Sequence, residues 1–419
     1  MNIQAVITGI GAISPAGMGI KPLWKAVRDG IPCGAKIQSF DTCQNSSHIA
    51  AEVPDFDPEK FGLPSTMDRS TQFSIAASRM AIEDAGLTVS HPQRTGVVMG
   101  TAIGGVAYME RIFRNSCIKQ GTVKPERVLM EDSAIDPHLY SAFLAHSVST
   151  EVAADLGLCG VCSTISTGCT AGIDAIGTAA DLIQAGVADV ILTGGTDAPL
   201  SPIVHTAFDN INCLTRRNED PARASRPFDR DRDGFLLAEG CGALVLESLE
   251  HARKRGARIY GAIAGYASRS NAYHMTSLPA DGVALADTLR LALQRSGINS
   301  DSVQYINAHG SSTKQNDRNE TSAFKSVFGS AAPRIPISST KSVLGHSLGA
   351  ASALETIVCM MAMQDRVVPP TANYETPDPD CDLDYVPNIA RDAKLGIVEC
   401  NASGFSGIHS SLILVGEGY

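Results

Sequence analysis

The stretch Val161-Cys162-Ser163-Thr164-Ile165-Ser166-Thr167-Gly168-Cys169-Thr170-Ala171-Gly172 decides how this chain is read, because an apolar strand turns sharply there into a helix and a cysteine stands at the turn. Val161 to Ile165 reads as a strand. Downstream, Ile173, Ile176, Ala180 and Ile183 recur at helical spacing until Gly186 ends the pattern. A cysteine taken alone is ordinarily a small buried apolar residue. At a helix start, however, its thiol faces unpaired backbone N–H groups and the positive end of the dipole, which favour thiolate and predict a lowered pKa. The small residues Gly168, Ala171 and Gly172 let a substrate approach closely and let the backbone take a strained turn. Cys169 is therefore the candidate nucleophile.

Working outward, strands alternate with helices on both sides of this turn. The first half has a strand at Ile3 to Thr8, a helix near Ser74 to Ala85, a strand at Thr95 to Met99, and a buried strand at Val187 to Thr193. A charged helix, Ser248 to Arg258, leads into a second series: strand Ile259 to Ala264, helix Val283 to Ser296, and strands Val303 to Asn307 and Ile335 to Ser338. A second glycine-rich turn, Lys341 to Gly349, then opens a helix running to about Gln364 and matches the position of the Cys169 turn in its own half. Continuous apolar strands alternating with helices imply sheets covered on both faces, hence the α/β class. Residues 1–250 and 251–419 are expected to be two related halves.

The 419 residues carry a net charge of −10, with 44% apolar and 19% charged residues, which is ordinary globular composition. The net charge of −10 argues against nonspecific binding to nucleic acid or an anionic membrane, both of which call for clustered positive charge. Met1 to Gly19 lacks a basic flank before an apolar core, and Ala350 to Met363 is interrupted by Glu355, so no signal peptide and no membrane span are predicted and a cytoplasmic location is expected. The 11 cysteines have no secreted framework's spacing; Cys159-Gly-Val-Cys162 has redox spacing but reads as packing.

Two histidines share the cysteine's setting, each in a glycine-rich turn after a strand: His309 in Asn307-Ala-His-Gly-Ser-Ser-Thr313 and His346 in Lys341-Ser-Val-Leu-Gly-His346-Ser-Leu-Gly349. Loop ends of α/β sheets are where active sites gather. Gly345-His-Ser347-Leu-Gly349 also fits the elbow of serine hydrolases, with acid from Asp378 to Asp384 and base from His409, but that reading leaves the Cys169 turn unexplained. Asp229-Arg-Asp-Arg-Asp-Gly234 begins like a calcium loop, yet its twelfth position is Gly240. Gly9-Ile-Gly11 lacks the third glycine of a dinucleotide fingerprint, and no zinc-ligand spacing is present.

With these turns in place the chain resembles the β-ketoacyl synthases of the thiolase fold, most of all the ketosynthase α subunits of type II polyketide synthases. The likeness runs from Val6-Ile-Thr-Gly-Ile-Gly11 to Gly404-Phe-Ser-Gly407. Its most specific stretches are Ser166 to Gly172, Gly195 to Pro202, Ser225 to Asp229, Asn271 to Thr276, Asn307 to Asp317 and Thr376 to Pro387. The resemblance implies two related βαβ-type halves layered αβαβα. It makes Cys169 the acyl-accepting nucleophile, with His309 and His346 serving decarboxylation and condensation of a malonyl extender. It also implies an oxyanion site from the backbone N–H groups of Cys169 and Phe405, Phe405 as gate, and Lys341 beside the histidines to orient them and resist their protonation. Ser311 and Thr313 fall at pantetheine-contacting positions. Asp317, Glu320 and Glu355 form either a structural network with Lys341 or part of the catalytic machinery.

The same resemblance implies no bound metal or redox cofactor, with substrates carried on the phosphopantetheine of acyl carrier protein. The expected partners are that carrier and a chain-length-factor subunit in a heterodimer. Noncatalytic relatives of this kind lack the nucleophile, so Cys169 and both histidines mark the active member. The alternative is a 3-oxoacyl-acyl carrier protein synthase of fatty acid synthesis working as a homodimer. Carrier docking is expected at Arg253, Lys254, Arg255 and Arg258, or at Arg216 and Arg217. Ser406 departs from the family's usual glycine and restricts the gate's backbone.

Overall fold

The first strand, β1 (Ala5–Ser14), is buried at every residue, so both of its faces are covered by other layers. Its Gly9 lies so close under a helix, α1 (Arg69–Ala85), that a Cβ there would stand 2.2 Å from the Ala81 carbonyl oxygen. The glycine of Gly9-Ile-Gly11 thus serves helix-on-strand packing. Asp68 caps α1 by accepting from the Thr71 N–H, and left-handed Gly86 ends it. The computed structural model describes residues 5–119, 122–123 and 137–416, so Ile3 and Gln4 of the expected first strand lie outside the described residues.

The first series continues with β2 (Thr95–Gly100), α2 (Ser147–Leu156), β3 (Cys162–Ile165), α3 (Ala171–Gln184), β4 (Val190–Asp197) and β5 (Gly240–Ser248). A second series follows: β6 (Gly261–Ser270), α4 (Val283–Ser296), β7 (Tyr305–Asn307), α5 (Lys314–Phe328), β8 (Ile337–Ser338), α6 (Ala351–Asp365), β9 (Ile397–Ser403) and β10 (Ile408–Gly416). Among the described residues these strands form one path, β8-β7-β9-β10-β6-β1-β5-β4-β2-β3, with Gly17–Met18 added to β1. Val6 pairs with Ala262 and Ile7 with Gly261 where the two series meet. On either side of that seam the order is the same: the third, second, fourth, fifth and first strand of the series. The pairings match as well, antiparallel for first with fifth and fifth with fourth, parallel for fourth with second and second with third. The internal symmetry expected from the two glycine-rich turns is therefore a repeated topology.

Helices α3 and α6 lie between the two half-sheets: α3 packs on β2 and β4 and also on β6 and β10, while α6 packs on β4, β5, β9 and β10. On the outside, α1 and α2 cover the first half-sheet and α4 the second, with α5 against α4, completing an αβαβα arrangement. Ile173, Ile176 and Ile183 of α3 and Leu354, Ile357 and Val358 of α6 share one core with Leu244, Leu246, Leu412 and Leu414 of the sheets. Each such side chain contributes about 1.5–3 kcal/mol on burial. The N-terminal ends of α3 and α6 meet at Gly172, where a Cβ would stand 2.7 Å from the Gly349 carbonyl oxygen. That contact brings the Cys169 turn beside the His346 turn.

Several expected bounds shift: the helix at Ser248 to Arg258 is Leu249–Lys254, the strand at Ile259 to Ala264 is Gly261–Ser270, that at Val303 to Asn307 is Tyr305–Asn307, and that at Ile335 to Ser338 is Ile337–Ser338. The strand predicted at Val187 to Thr193 lies further on, as β4, because Val187 closes the end of α3 through its N–H to the Leu182 carbonyl and pairing with β5 continues to Asp197. The helix expected to open from the Lys341–Gly349 turn is α6 (Ala351–Asp365), close to its expected end near Gln364. A short Lys341–Leu344 helix ends at Gly345 (φ 71°), and the His346 backbone instead bonds to Leu236 and Ala238 before α6 begins. No helix among the described residues is long and apolar enough to cross a membrane.

Candidate active site

Cys169 follows β3 in a tight 3₁₀ turn, Gly168–Thr170, that starts with Gly168 at φ 68° and passes into α3. The backbone N–H groups of Phe405 and of Cys169 itself both point at the sulfur and favour its charged form. The loop between β9 and β10 supplies Phe405, and a Cβ on Gly404 would stand 3.5 Å from the Cys169 nitrogen. The lowered pKa expected from the helix start is not found: burial pushes the thiol up to about 11, Asp197 adds to that, and Lys341 with the two N–H groups offsets only part. Withdrawal from water outweighs the helix end even though Cys169 is only half-buried and lines a pocket.

The histidines come from the other half. His309 follows β7 and His346 follows β8, both buried, with ring centres 5.1 Å apart and planes at 81°. Burial first, and the Lys341 ammonium second, hold both rings well below the usual histidine range, so both are neutral. The Nδ1 atom of each is buried without a partner among the described residues, which leaves Nε2 as the nitrogen open to the cavity. Lys341 is itself buried and ion-paired with Glu355. Its charge acts on the two imidazoles through space, without lining the cavity.

The carboxylates do not form one network with Lys341. Glu320 accepts from the backbone N–H groups of His309 (2.8 Å) and Gly310 (2.7 Å) and from the amides of Asn316 and Asn401, which shapes the His309 turn. Burial, with Asp317 nearby, lifts its pKa to about 7. Asp317 accepts from the Phe228 N–H at 2.7 Å and pairs with Arg232 at 3.2 Å. Only Glu355 of the three bonds directly to Lys341 among the described contacts. Ser311 and Thr313 lie with hydroxyl oxygens 2.9 Å apart.

A pocket of about 780 Å³ joins these parts: Cys169, His309, His346, Ser311, Thr313 and Phe405 all line it. A cavity of about 810 Å³ elsewhere, lined by Arg69, Tyr108 and Arg111 among others, holds none of the candidate residues. Phe208 connects Phe405 (6.2 Å between ring centres) to Phe235 (5.4 Å), which meets the His346 ring edge-on at 5.3 Å. Ser406 holds φ 67°, where a side chain costs about 1–2 kcal/mol, and its N–H donates to the Met275 carbonyl at 2.6 Å.

Sequence reading missed Asp197, Phe208, Phe235 and Arg232. Asp197 ties three segments together, accepting from the Thr101 hydroxyl and the N–H groups of Ala102, Ile103 and Gly349. An aspartate ending the otherwise uncharged strand Val-Ile-Leu-Thr-Gly-Gly-Thr-Asp197 is the available signal, since a buried carboxylate needs donors. Phe208 and Phe235 carry none, as their roles depend on side chains far away in sequence. The hydrolase constellation is not assembled: Asp378 bonds Arg232 at 2.6 Å, and His409 Nδ1 lies 2.9 Å from the Ser403 hydroxyl oxygen. Asp229 of the calcium-like loop instead accepts the Glu375 and Thr376 N–H groups. Among the described residues no group of three or more His, Cys, Asp or Glu is arranged to hold a metal ion.

The arrangement unites an enclosed thiol, two backbone N–H donors aimed at it, and two neutral imidazoles in one cavity. The family model for the N-terminal domain of β-ketoacyl synthases matches residues 4–252, and that for the C-terminal domain matches residues 260–375. The tetracenomycin polyketide synthase ketoacyl synthase α subunit of Streptomyces glaucescens is 45% identical, over 98% of this chain and 96% of its own length. The 3-oxoacyl-[acyl-carrier-protein] synthase 2 of Synechocystis is 39% identical, over 98% of this chain and 97% of its own. A type II polyketide synthase ketosynthase, solved with its acyl carrier protein and bound to the hexaketide, superposes with a TM-score of 0.90 at 40% identity, covering 99% of this chain and all (100%) of that one. The ishigamide ketosynthase/chain length factor gives 0.91 at 37%, covering 100% of both chains.

Proposed function

Because the chain belongs to the β-ketoacyl synthase family, we infer that it is the ketosynthase of a type II polyketide system, joining a malonyl unit on acyl carrier protein to an acyl chain held on the enzyme. Near-complete coverage of ketosynthase α subunits at 45% identity favours this over a fatty acid synthase, since the Synechocystis 3-oxoacyl synthase stands at 39%. The observation that carries the mechanism is the single cavity uniting Cys169 with His309 and His346. In our reading residues 1–250 carry the nucleophile and 251–419 the histidines, a division supported by the repeated strand order.

In the first step the Cys169 sulfur attacks the carbonyl of an acyl thioester on the carrier's phosphopantetheine. The C–S bond to pantetheine breaks, and that sulfur leaves as a thiol, taking up the proton Cys169 gives up. The Cys169 and Phe405 N–H groups hold the oxyanion, and loss of one such donor typically costs about 10²–10³ in rate. Malonyl carrier protein then enters, its arm bonded by Ser311 and Thr313. Loss of CO2 leaves an enolate, whose oxygen charge is met by the neutral Nε2–H donors of His309 and His346. The enolate carbon attacks the Cys169 thioester, forming the C–C bond and returning the thiolate, while the β-ketoacyl chain stays on the carrier. Burial, helped by Lys341, keeps both imidazoles neutral, and an unprotonated ring donates one hydrogen bond without quenching the carbanion.

The partners we assign are an acyl carrier protein and a chain-length-factor subunit, in keeping with the complexes solved for structural neighbours. We place the carrier at the pocket mouth. Arg216 donates to Asn212 and Arg217 to the Asp231 carbonyl, and Asn212 and Asp231 line the pocket with Arg230 and Lys314. Arg217 also pairs with Asp233 of the pocket lining at 3.8 Å, whereas Arg255 and Arg258 are engaged with Glu247 and Asp84, neither of which lines the pocket.

Intact-mass measurement of wild type and Cys169→Ala, each with its partner subunit and acyl-loaded carrier, tests the reading. An acyl increment present in wild type and absent in the variant is expected. Labelling that persists without Cys169 overturns it.

A further inference from the structure

Asp174 lies just inside α3, below the nucleophile, and is only 2% exposed, yet no cation pairs with it among the described residues. Four hydroxyls surround it instead. Oδ2 accepts from Thr167 at 2.5 Å and from Thr170 at 2.8 Å, the latter proton being shared with the Thr167 carbonyl at 2.9 Å. Oδ1 accepts from Tyr266 at 2.8 Å and Ser410 at 2.5 Å. The four acceptor sites of a carboxylate are thereby filled with neutral donors.

The origins of those donors matter more than their number. Thr167 and Thr170 bracket Cys169 in the turn, whereas Tyr266 stands on β6 and Ser410 on β10, in the other half of the molecule. Tyr266 reaches the carboxylate across Gly177, where a Cβ would stand 2.2 Å from its ring. Burial, with Asp174 beside it, raises the phenol far above its usual pKa, so it stays a donor.

We propose that Asp174 is a positioning residue for acylation: by holding Thr167 and Thr170 against Tyr266 and Ser410 it fixes the peptide between Gly168 and Cys169, and with it the aim of the Cys169 N–H and sulfur. Asp174 touches neither substrate nor the histidines. Its effect therefore falls on the half-reaction run at Cys169 and not on the one run at His309 and His346. This inference rests on Cys169 being the acylated residue.

The test measures both half-reactions on the same protein with its partner subunit: acyl transfer onto Cys169 by time-resolved intact mass, and CO2 release from malonyl carrier protein. Asp174→Asn keeps the size of the side chain but replaces one acceptor oxygen with a donor. Acyl transfer is expected to slow about 10- to 100-fold, less than the outright loss of one oxyanion donor because the N–H is misaimed and not removed, while CO2 release changes by less than about 2-fold. An equal fall in both, or no fall in acylation, overturns the inference. Should Asp174→Asn not fold, Tyr266→Phe and Thr170→Val each remove one donor, and acylation at the wild-type rate in both overturns it. A wild type that takes up no acyl group defeats the nucleophile assignment itself, an outcome distinct from a variant that acylates normally.

Discussion

The rings of His309 and His346 meet edge to face at 5.1 Å and are both kept neutral by burial and by Lys341. Unfolded, each takes its proton near pH 6.5; folded, only at lower pH. Below about pH 6.5 the unfolded chain thus binds more protons, and stability falls as the pH drops. Glu320 and Asp197, raised to about 7 and about 6, act in the opposite sense, since they lose stability as pH rises through that range. Urea midpoints measured from about pH 8 to pH 5 should therefore fall less steeply in His309→Gln/His346→Gln than in wild type. Identical slopes would show that the rings are not buried neutral.

Lys341→Met removes the charge that Glu355 faces, with both side chains 2% exposed, and leaves a buried carboxylate unpaired. A loss of about 3–5 kcal/mol in unfolding free energy is expected, much of it restored by Lys341→Met/Glu355→Gln. In that double variant the histidines lose a positive neighbour and protonate more readily, so the acid limb of the condensation profile moves to higher pH. An unmoved acid limb would remove Lys341 from the control of the histidines.

With its pKa pushed up to about 11, Cys169 is mostly thiol at neutral pH. Its alkylation by iodoacetamide, followed by mass at this residue, should rise about tenfold per pH unit from pH 7 to 10. A rate already level at pH 7 would reinstate the helix-start expectation of a lowered pKa. In Lys341→Met/Glu355→Gln the rise should shift to still higher pH, because Lys341 favours the thiolate.

Arg216→Glu/Arg217→Glu should weaken carrier binding at low salt, slowing association about tenfold, and flatten its salt dependence. Arg253→Glu/Lys254→Glu, on the Leu249–Lys254 helix packed against β1 and β5, should leave it unchanged. Equal effects from the two pairs would move the docking site away from the pocket mouth.

The turn at Cys169, the helix after it and the duplicated α/β plan were legible in the sequence because they rest on local regularities. Ile173, Ile176 and Ile183 repeat with the helical period, glycines mark sharp turns, and strands buried on both faces run apolar without alternation. The helix Val283–Ser296 matches its expected bounds for the same reason. Cys169, His309 and His346 could be named one by one, each from its own turn. What the tertiary structure decided depends on distance through space and removal from water. The fold selected Glu355 from the three carboxylates weighed as partners of Lys341, and the Asp174 cradle drawn from both halves and the Phe208 and Phe235 wall join residues that no period or spacing links. The pKa of Cys169 went against its local sequence because a helix end acts over one turn, whereas desolvation sums over every atom the fold packs around the sulfur.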